Sequence, residues 1–331
     1  MQNKTVTAMR TPEPVLRALS GAESALLCTH VSPDGDTLGA TLALSAALEA
    51  LGKHVRVTCA DPVPELYAFL PGSGRIVTPE ALAGEGFDLA VAVDVSDAAR
   101  LGTARSLFDA AAVRLVIDHH PTNDRFGGVN WIEPEAAATG MLALACIRDL
   151  GAALSKEMAD CLYVAVATDT GNFSFANTNA DALRAAAELA KAGARPDKLI
   201  ERVYRTRSRA GVELLGRALS TLRLFAGDRA AVMALTARDF AETGAADSMT
   251  EGIVNYAVEI TGVQVAALVH ERNDEKKEIK CSLRAREPHD VSALAKRFGG
   301  GGHALAAGCT LSPPMESALR VLERAMEEAV R

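Results

Sequence analysis

The chain has 331 residues and a net charge of −7, and its 49% hydrophobic and 23% charged residues are an ordinary globular composition. This length favours two domains over one, and the acidity argues against a broadly basic surface for long nucleic acids. Six scattered cysteines without a C-x-x-C pair suggest neither a zinc ribbon nor a disulfide framework. Without a bilayer-length apolar run or an apolar signal core, we expect a cytoplasmic protein.

Strand-like and helix-like patterns alternate in the first half of the chain. Apolar strand patterns cover residues 24–30, 54–60, 88–96 and 113–120, and helical patterns cover residues 37–52, 137–151 and 179–196. Residues 155–173 fit both types, and their length favours a helix that ends near Asp169. The alternation predicts an α/β domain, in which a parallel sheet has helices on both faces. Continuously apolar strands agree with that arrangement.

The second half has a looser pattern. Residues 196–225 are charged and helical in character, and we interpret them as a helical linker. Strand patterns follow at 229–237, 263–271 and 277–285, and helical patterns at 249–260, 291–298 and 315–330. These predict a smaller α+β domain. The expected boundaries are therefore 1–195 for the first domain, 196–225 for the linker and 226–331 for the second domain.

Acidic and imidazole side chains follow the predicted parallel strands. His30, Asp94 and Asp118 each lie where an apolar strand pattern stops. In open α/β sheets, ligands bind outside the carboxyl ends of the strands, so we expect these side chains on one rim. The full candidate set comprises His30, Asp34, Asp36, Asp94, Asp118, His119, His120 and Asp169.

A rim with this many carboxylates needs either raised pKa values or bound cations. Oxygen and imidazole ligands without cysteine suit Mn²⁺, with Mg²⁺, Fe²⁺ or Co²⁺ as alternatives, and the ligands suffice for two ions. Each motif alone also has a structural interpretation. The "PDGD" segment is typical of a turn, and Asp94 could cap a helix. Together the motifs predict a metal-dependent hydrolase and leave its substrate open.

Five segments then carry a family resemblance. "HVSPDGDTLGA", "VAVDVSD", "VIDHHP" and "VATDTGNF" occur in this order, and "GGGGHALAAG" follows after "CSLRAR". The ordered set resembles the motifs of the DHH phosphoesterases and their DHH-associated C-terminal domain. It spans residues 15–312, nearly the whole chain. The likeness is strongest to the compact two-domain members with nanoRNase (oligoribonuclease) and 3′-phosphoadenosine 5′-phosphate (pAp) phosphatase activity.

The resemblance implies a centre of two divalent metal ions, with Mn²⁺ in first place and Mg²⁺ or Co²⁺ as alternatives. His30 and Asp34 would bind the first ion, and Asp94 would bridge the two ions. The second ion would be held by Asp36, His119 and Asp169.

Further roles also follow from the resemblance. The catalytic group would be the triplet Asp118, His119 and His120, in which Asp118 orients a histidine and His120 faces the scissile phosphate. Arg284 would bind a terminal phosphate through bidentate hydrogen bonds. The glycine-rich segment would form a loop that offers backbone N–H groups to the substrate. The implied substrate-binding set is Arg284, Gly300, Gly301, Gly302 and His303.

The implied reaction is two-metal hydrolysis of short 5′-phosphorylated oligonucleotides, including linear dinucleotides, and of pAp to AMP and phosphate. Alternatives are a RecJ-like single-strand exonuclease, a phosphodiesterase for cyclic or linear dinucleotides, and a nucleotide-binding scaffold without activity. Only nine Phe, four Tyr and one Trp occur, which argues against an extended stacking track for long strands.

The expected partners are short oligonucleotides and small nucleotide bisphosphates, with no membrane and no long duplex nucleic acid. The resemblance also suggests a homodimer. Arg205, Arg207 and Arg209 either guide an oligonucleotide or belong to a solvated helix, and the latter interpretation is favoured.

Overall fold

A computed structural model describes residues 9–271 and 278–331. The chain divides into two compact units, Met1–Thr206 and Arg207–Arg331. Two parts of the sequence predictions, the N-terminal segment up to Ala8 and the strand position Lys277, lie outside the described residues. Within the described ranges, no helix is long and apolar enough to cross a membrane.

The first unit is built on a five-stranded sheet in which every pair of neighbouring strands is parallel. Its strand order is β2-β1-β3-β4-β5. The strands are β1 (Ser24–Cys28), β2 (His54–Thr58), β3 (Leu89–Val93), β4 (Val113–Asp118) and β5 (Val129–Ile132). The chain leaves β1 in one direction to form β2 and then crosses to the other side for β3. This reversal creates a topological switch point at the carboxyl ends of β1 and β3.

Helices cover both faces of this sheet. They are α1 (Glu13–Gly21), α2 (Gly35–Ala50), α3 (Arg105–Ala110), α4 (Thr139–Asp149), α5 (Lys156–Asp169), α6 (Ala180–Lys191) and α7 (Pro196–Tyr204). Alternate strand residues point to opposite faces, so Val91 joins the core under α2, α4 and α5 while Ala90 joins the core that includes Phe108 of α3. All five residues of β3 are buried, as expected of a central parallel strand.

The helices α2 and α5 pack closely because the facing residues are small. A Cβ atom added at Gly39 would lie 2.3 Å from the backbone oxygen of Cys161 and 3.0 Å from Cβ of Ala165. Both distances are shorter than van der Waals contact. The backbones can approach this closely only without a side chain at this position, and the approach brings the beginning of α2 beside the end of α5.

The second unit contains a six-stranded mixed sheet of order β10-β11-β9-β8-β7-β6. β7 and β8 are parallel, and the other neighbours are antiparallel. The strands are β6 (Arg223–Phe225), β7 (Ala230–Leu235), β8 (Val265–Glu271), β9 (Ile279–Ala285), β10 (Gly301–His303) and β11 (Ala306–Leu311). The helices are α8 (Arg209–Ser220), α9 (Ala237–Thr243), α10 (Ile253–Val258), α11 (Val291–Lys296) and α12 (Met315–Ala329).

The predicted fold class is confirmed: a parallel α/β sheet is followed by a smaller α+β unit. Seven elements of the described chain escaped prediction, namely α1, α3, α9, β5, β6 and the two strands of the β10–β11 hairpin. The sequence suggested a loop at the glycines, but Gly301 and Gly302 belong to β10. The helix expected over 249–260 is the shorter α10, preceded by a 3₁₀ turn at Asp247–Thr250. Within the predicted linker, α7 and α8 lie on either side of the boundary between the two units.

Replacing Gly39 by alanine should destabilise the first unit by about 1–3 kcal/mol, because the added methyl group must push apart the α2 and α5 backbones. Urea denaturation measures the change. Gly21→Ala is the matched control, since a Cβ there meets nothing within 4 Å. Equal unfolding free energies for the two variants would contradict the tight packing of α2 on α5.

Candidate metal centre

The carboxyl edge of the first sheet gathers the acidic and imidazole residues singled out in the sequence. His30 lies two residues beyond β1, Asp94 directly follows β3, and Asp118 ends β4. His119 and His120 follow Asp118 directly. Helix ends supply the other three: Asp34 is the N-cap of α2, Asp36 lies in its first turn, and Asp169 ends α5. The structure therefore brings together all eight candidates of the first unit, at the switch point of the sheet.

Asp94 occupies the middle of this group. Its Oδ2 atom lies 3.7 Å from Nε2 of His30, and its Oδ1 atom lies 3.8 Å from Nε2 of His119. The two oxygens of one carboxylate thus face two different imidazoles. Asp94 also has a φ of 62°, a left-handed conformation that is uncommon for residues other than glycine. Such strained backbone clusters at functional sites.

Besides Asp94, one further carboxylate flanks His30 and two flank His119. Oδ2 of Asp34 lies 3.7 Å from Nε2 of His30. On the other side, Nε2 of His119 lies 3.9 Å from Oδ2 of Asp36 and 3.2 Å from Oδ2 of Asp169. Asp36 and Asp94 are buried, whereas half of the Asp34 side chain is exposed.

The imidazoles are held through their second nitrogen atoms. Nδ1 of His30 lies 2.8 Å from the backbone oxygen of Val31, and Nδ1 of His119 lies 3.0 Å from that of Ala136. Nδ1 of His30 also lies 3.0 Å from Nη2 of Arg100, which can only donate. At His119 the carbonyl oxygen can only accept, so the contact favours the tautomer that carries its proton on Nδ1. That tautomer presents the Nε2 lone pair to the carboxylates, as metal-binding histidines usually do.

Asp118 has protein donors on both of its oxygens. Oδ1 accepts from the backbone N–H of His119 at 2.8 Å and lies 2.7 Å from Nδ1 of His120. Oδ2 accepts from Nδ2 of Asn123 at 2.6 Å. Asp118 is fully buried. Its contacts are those of a residue that orients His120.

The pKa values of two carboxyl groups reflect burial and the close spacing of negative charges in the site. Burial raises the pKa of Asp36 well above its ordinary value, and the carboxylates of Asp94 and Asp169 add to that shift. Burial also raises the pKa of Asp169 to about 7, a shift that His119 opposes and Asp94 reinforces. Positive charge at this edge of the sheet would relieve the repulsion.

Carboxylates of the site also raise the pKa values of two histidines. Burial disfavours the charged form of His30, but the Asp34 and Asp94 carboxylates outweigh it and raise its pKa to about 9. Asp118 and Asp94 likewise raise the pKa of His120 to about 9 against the effect of burial. The carboxylates therefore favour the protonated form of both imidazoles. Divalent cations at this edge of the sheet would offset the same negative charge.

The donor atoms are close enough to chelate ions. Nitrogen and carboxylate oxygen atoms within 4.8 Å of one another form three sets around Asp94: with His30 and Asp34, with Asp36 and His119, and with Asp118 and His120. The first two combine an imidazole nitrogen with carboxylates and no sulfur, a donor set that fits Mn²⁺, Mg²⁺ or Co²⁺. The third is already satisfied by hydrogen bonds within the protein.

The substrate-binding candidates lie in the second unit. Strand register pairs His303 of β10 with Ala306 of β11, and Ala306 with Arg284 of β9. Residues directly opposite each other share a face of the sheet, so His303 and Arg284 stand in one row with a small alanine between them. Gly301 and Gly302 precede His303 in β10, and Gly300 comes just before the strand.

Arg284 has an unusual environment for a guanidinium group. Burial lowers its pKa from the ordinary value, and the Glu251 carboxylate opposes that shift. Its Nη1 donates to the backbone oxygen of Leu283 at 3.0 Å, while Nε is buried and has no hydrogen-bond partner in the part of the chain that the structure describes. A buried donor of this kind is costly unless an anion completes its contacts.

Three residues around the metal-centre candidates were not predicted. Asn123 holds Asp118 and could have been noticed three residues after the DHH triplet. Thr139 contacts both Asp36 and Asp94, but its only signal in the sequence is a threonine near the beginning of a helical pattern. Arg100 has an Nη2 atom 3.0 Å from Nδ1 of His30, a contact that depends wholly on the folded path of the chain.

Fold and site together define an α/β protein with a candidate metal centre at the carboxyl edge of its parallel sheet. The family model described as "DHH family, N-terminal domain" matches residues 24–166, and the one described as "DHHA1 domain" matches residues 227–330. The chain belongs to the DHH phosphoesterase family and is a hydrolase.

Individual relatives extend over nearly the whole chain. The bifunctional oligoribonuclease and PAP phosphatase NrnA of Thermus thermophilus is 34% identical over 327 residues, which cover 98% of this chain and 95% of the relative. The protein of the same name from Bacillus subtilis is 26% identical and covers 90% and 92%. An exopolyphosphatase-related protein from Bacteroides fragilis has a similar structure, with a TM-score of 0.86, 28% identity and 94% coverage of each chain.

In the cation-free protein, the free energy of unfolding should fall as pH rises from about 4 to about 7. Asp169 has a pKa of about 7 in the folded protein against an ordinary value of 3.8, so the folded state binds the extra proton in this window. Its stabilising effect is lost as the pH approaches the folded value. Urea denaturation with a chelator at several pH values measures the slope.

Asp169→Asn should flatten part of this slope, because an amide does not titrate. Asp181→Asn, which changes an exposed carboxylate on α6, serves as the control and should keep it. A slope in Asp169→Asn as steep as in the unaltered protein would show that another group takes up the proton.

Proposed function

We propose that this protein uses two divalent cations to hydrolyse short 5′-phosphorylated oligoribonucleotides, including linear dinucleotides, and pAp. The observation that carries the proposal is the Asp94 carboxylate, whose two oxygens face His30 and His119 separately. One bridging carboxylate between two nitrogen–oxygen sets is the arrangement that a pair of cations requires. The names of the NrnA relatives support the substrate classes.

The ligand assignment follows from the same distances. We assign His30, Asp34 and Oδ2 of Asp94 to the first cation. We assign Oδ1 of Asp94, together with Asp36, His119 and Asp169, to the second cation. Mn²⁺ is the proposed ion, with Mg²⁺ and Co²⁺ as the ions to compare. When bound, the cations would neutralise charge on the phosphate oxygens and lower the pKa of water in the site.

The residues of the chain then have defined tasks. Asp118 holds Nδ1 of His120, which turns Nε2 of His120 away from Asp118. We assign that side of the imidazole to the scissile phosphate. In the reaction a water oxygen replaces the 3′ oxygen on phosphorus, the P–O3′ bond breaks, and the departing oxygen gains a proton. The product would be a 5′-phosphorylated nucleotide.

Both proposed substrates share a feature that suits the hydrogen-bond donors of the second unit. pAp and a 5′-phosphorylated dinucleotide each carry a 5′-terminal phosphate together with a phosphoester on the 3′ oxygen. Arg284 is a partly buried guanidinium whose buried Nε donor has no hydrogen-bond partner among the described residues, and we assign it to the terminal phosphate. His303, in the same row of the sheet, would contact the same end of the substrate. A net charge of −7 gives long polyanions little general attraction.

A panel of substrates tests the proposal. With Mn²⁺, the purified protein should turn over pAp and 5′-phosphorylated dinucleotides faster than a long single strand, pyrophosphate, inorganic polyphosphate or a cyclic dinucleotide. Chelation should abolish the activity. Turnover of the long strand alone would favour a RecJ-like exonuclease, and turnover of polyphosphate alone would favour the activity named for the Bacteroides fragilis relative.

Asp94→Asn should lower kcat on pAp by more than about 100-fold, because the amide keeps the size of the bridging group and removes its charge. Steady-state kinetics at saturating Mn²⁺ measures the loss. The matched control Asp109→Asn alters an exposed carboxylate of α3 that pairs with Arg105, and it should retain full activity. An active Asp94→Asn protein would refute the bridging assignment.

Arg284→Lys should raise KM for pAp by about tenfold and change kcat little, since lysine keeps the charge but cannot bind a phosphate with two parallel hydrogen bonds. Arg286→Lys is the control, as its exposed guanidinium donates to the backbone oxygen of Val258. Thermal melting of both variants checks the fold. An unchanged KM in Arg284→Lys would remove the phosphate role of Arg284.

A further inference from the structure

Thr139, the first residue of α4, contacts two of the site carboxylates at once. Its backbone N–H donates to Oδ2 of Asp36 at 2.7 Å, and its hydroxyl group donates to Oδ1 of Asp94 at 2.9 Å. Thr139 is completely buried. Hydrogen bonds to buried carboxylates are among the stronger ones in proteins, so both contacts constrain the acceptors.

The first contact belongs to an unusual helix cap. The N-cap residue of α4 is Ala138, whose methyl group accepts no hydrogen bond. The carboxylate of Asp36 from α2 takes that place, since it accepts from the N–H groups of both Thr139 and Gly140, the latter at 2.8 Å. A Cβ on Gly140 would lie 3.3 Å from Oδ1 of Asp36, so glycine allows this approach. The beginning of α4 thereby orients both oxygens of Asp36.

Both contacts of Thr139 fall on the same side of the site. The oxygens that it contacts, Oδ2 of Asp36 and Oδ1 of Asp94, are those that face Nε2 of His119, at 3.9 and 3.8 Å. The other oxygen of Asp94 faces His30. The hydroxyl group of Thr139 therefore holds Asp94 in the rotation that directs one oxygen to each imidazole.

We propose that Thr139 is a positioning residue that sets the cation affinity of the set formed by Asp36, Asp94 and His119. The set formed by His30, Asp34 and Asp94 depends on it much less. This inference rests on the proposed two-cation centre. Without the hydroxyl group, the Asp94 carboxylate loses its lateral donor and can rotate about its terminal torsion, which is intrinsically soft. Groups that hold metal ligands in place typically contribute 10–100-fold in affinity.

Thr139→Val removes the hydroxyl group at nearly constant volume and keeps the backbone N–H. Thr139→Ser restores the donor. Thr41→Val is the matched control: Thr41 is a buried threonine of α2 whose hydroxyl oxygen has no partner within residues 9–271 and 278–331. Melting of the cation-free proteins checks the fold, and Thr139→Ala provides a second variant without the hydroxyl group should valine unfold the chain.

The readout is Mn²⁺ binding to chelator-treated protein, followed by calorimetry and by the electron paramagnetic resonance of the bound ions. The unaltered protein, Thr139→Ser and Thr41→Val should bind two ions. Thr139→Val should bind one ion with near-normal affinity and the other about 10–100-fold more weakly. Its activity on pAp should recover at higher Mn²⁺ concentration, because the defect lies in occupancy.

The outcomes separate this inference from the proposed function. Two ions bound normally by Thr139→Val would overturn the role of Thr139 and leave the two-cation centre intact. Equal weakening of both ions would also overturn it, because it would indicate general loosening of the site. Fewer than two ions on the unaltered protein would overturn the two-cation centre and this inference with it.

Discussion

The carboxylate of Asp94 lies between two imidazoles, with Oδ2 3.7 Å from Nε2 of His30 and Oδ1 3.8 Å from Nε2 of His119. Other buried carboxylates surround it, and like charges at this range repel strongly where water is excluded. Burial and that repulsion raise the pKa values of Asp36 and Asp169. The first unit therefore maintains an electrostatically unfavourable site, and its fold has to supply the free energy for it.

Three features of the fold supply this support. Parallel strands end together, so residues distant in sequence meet at one edge without long loops. Close packing of α2 on α5 brings Asp36 and Asp169 to the same edge, and Gly39 permits it. Finally, backbone N–H groups at the beginning of α4 and hydrogen bonds from Asn123 satisfy carboxylate oxygens that water would otherwise solvate. A cation at this edge would add to a framework that is already in place.

Site residues and strands could be predicted from the sequence where a local pattern of residues marks them. The strand ends at His30, Asp94 and Asp118 were readable because apolar runs stop abruptly there, and the parallel topology then implies their convergence. Thr139 and Arg100 were not, because they act only through contacts to residues far away in sequence. The hairpin of β10 and β11 was missed for another reason. Glycine is weak in strands by propensity, and pairing with β9 through β11 overrides that preference.

The cap that Asp36 provides for α4 has a thermodynamic consequence. One carboxylate serves as the terminal acceptor of a helix from another segment and, in the proposed assignment, as a cation ligand. Anything that changes the electron density on its oxygens changes both functions, so occupancy of the site and order in the first turn of α4 are linked equilibria. Backbone amide protons of Thr139 and Gly140 would then report ion occupancy through their exchange with solvent, at a position that no substrate needs to touch.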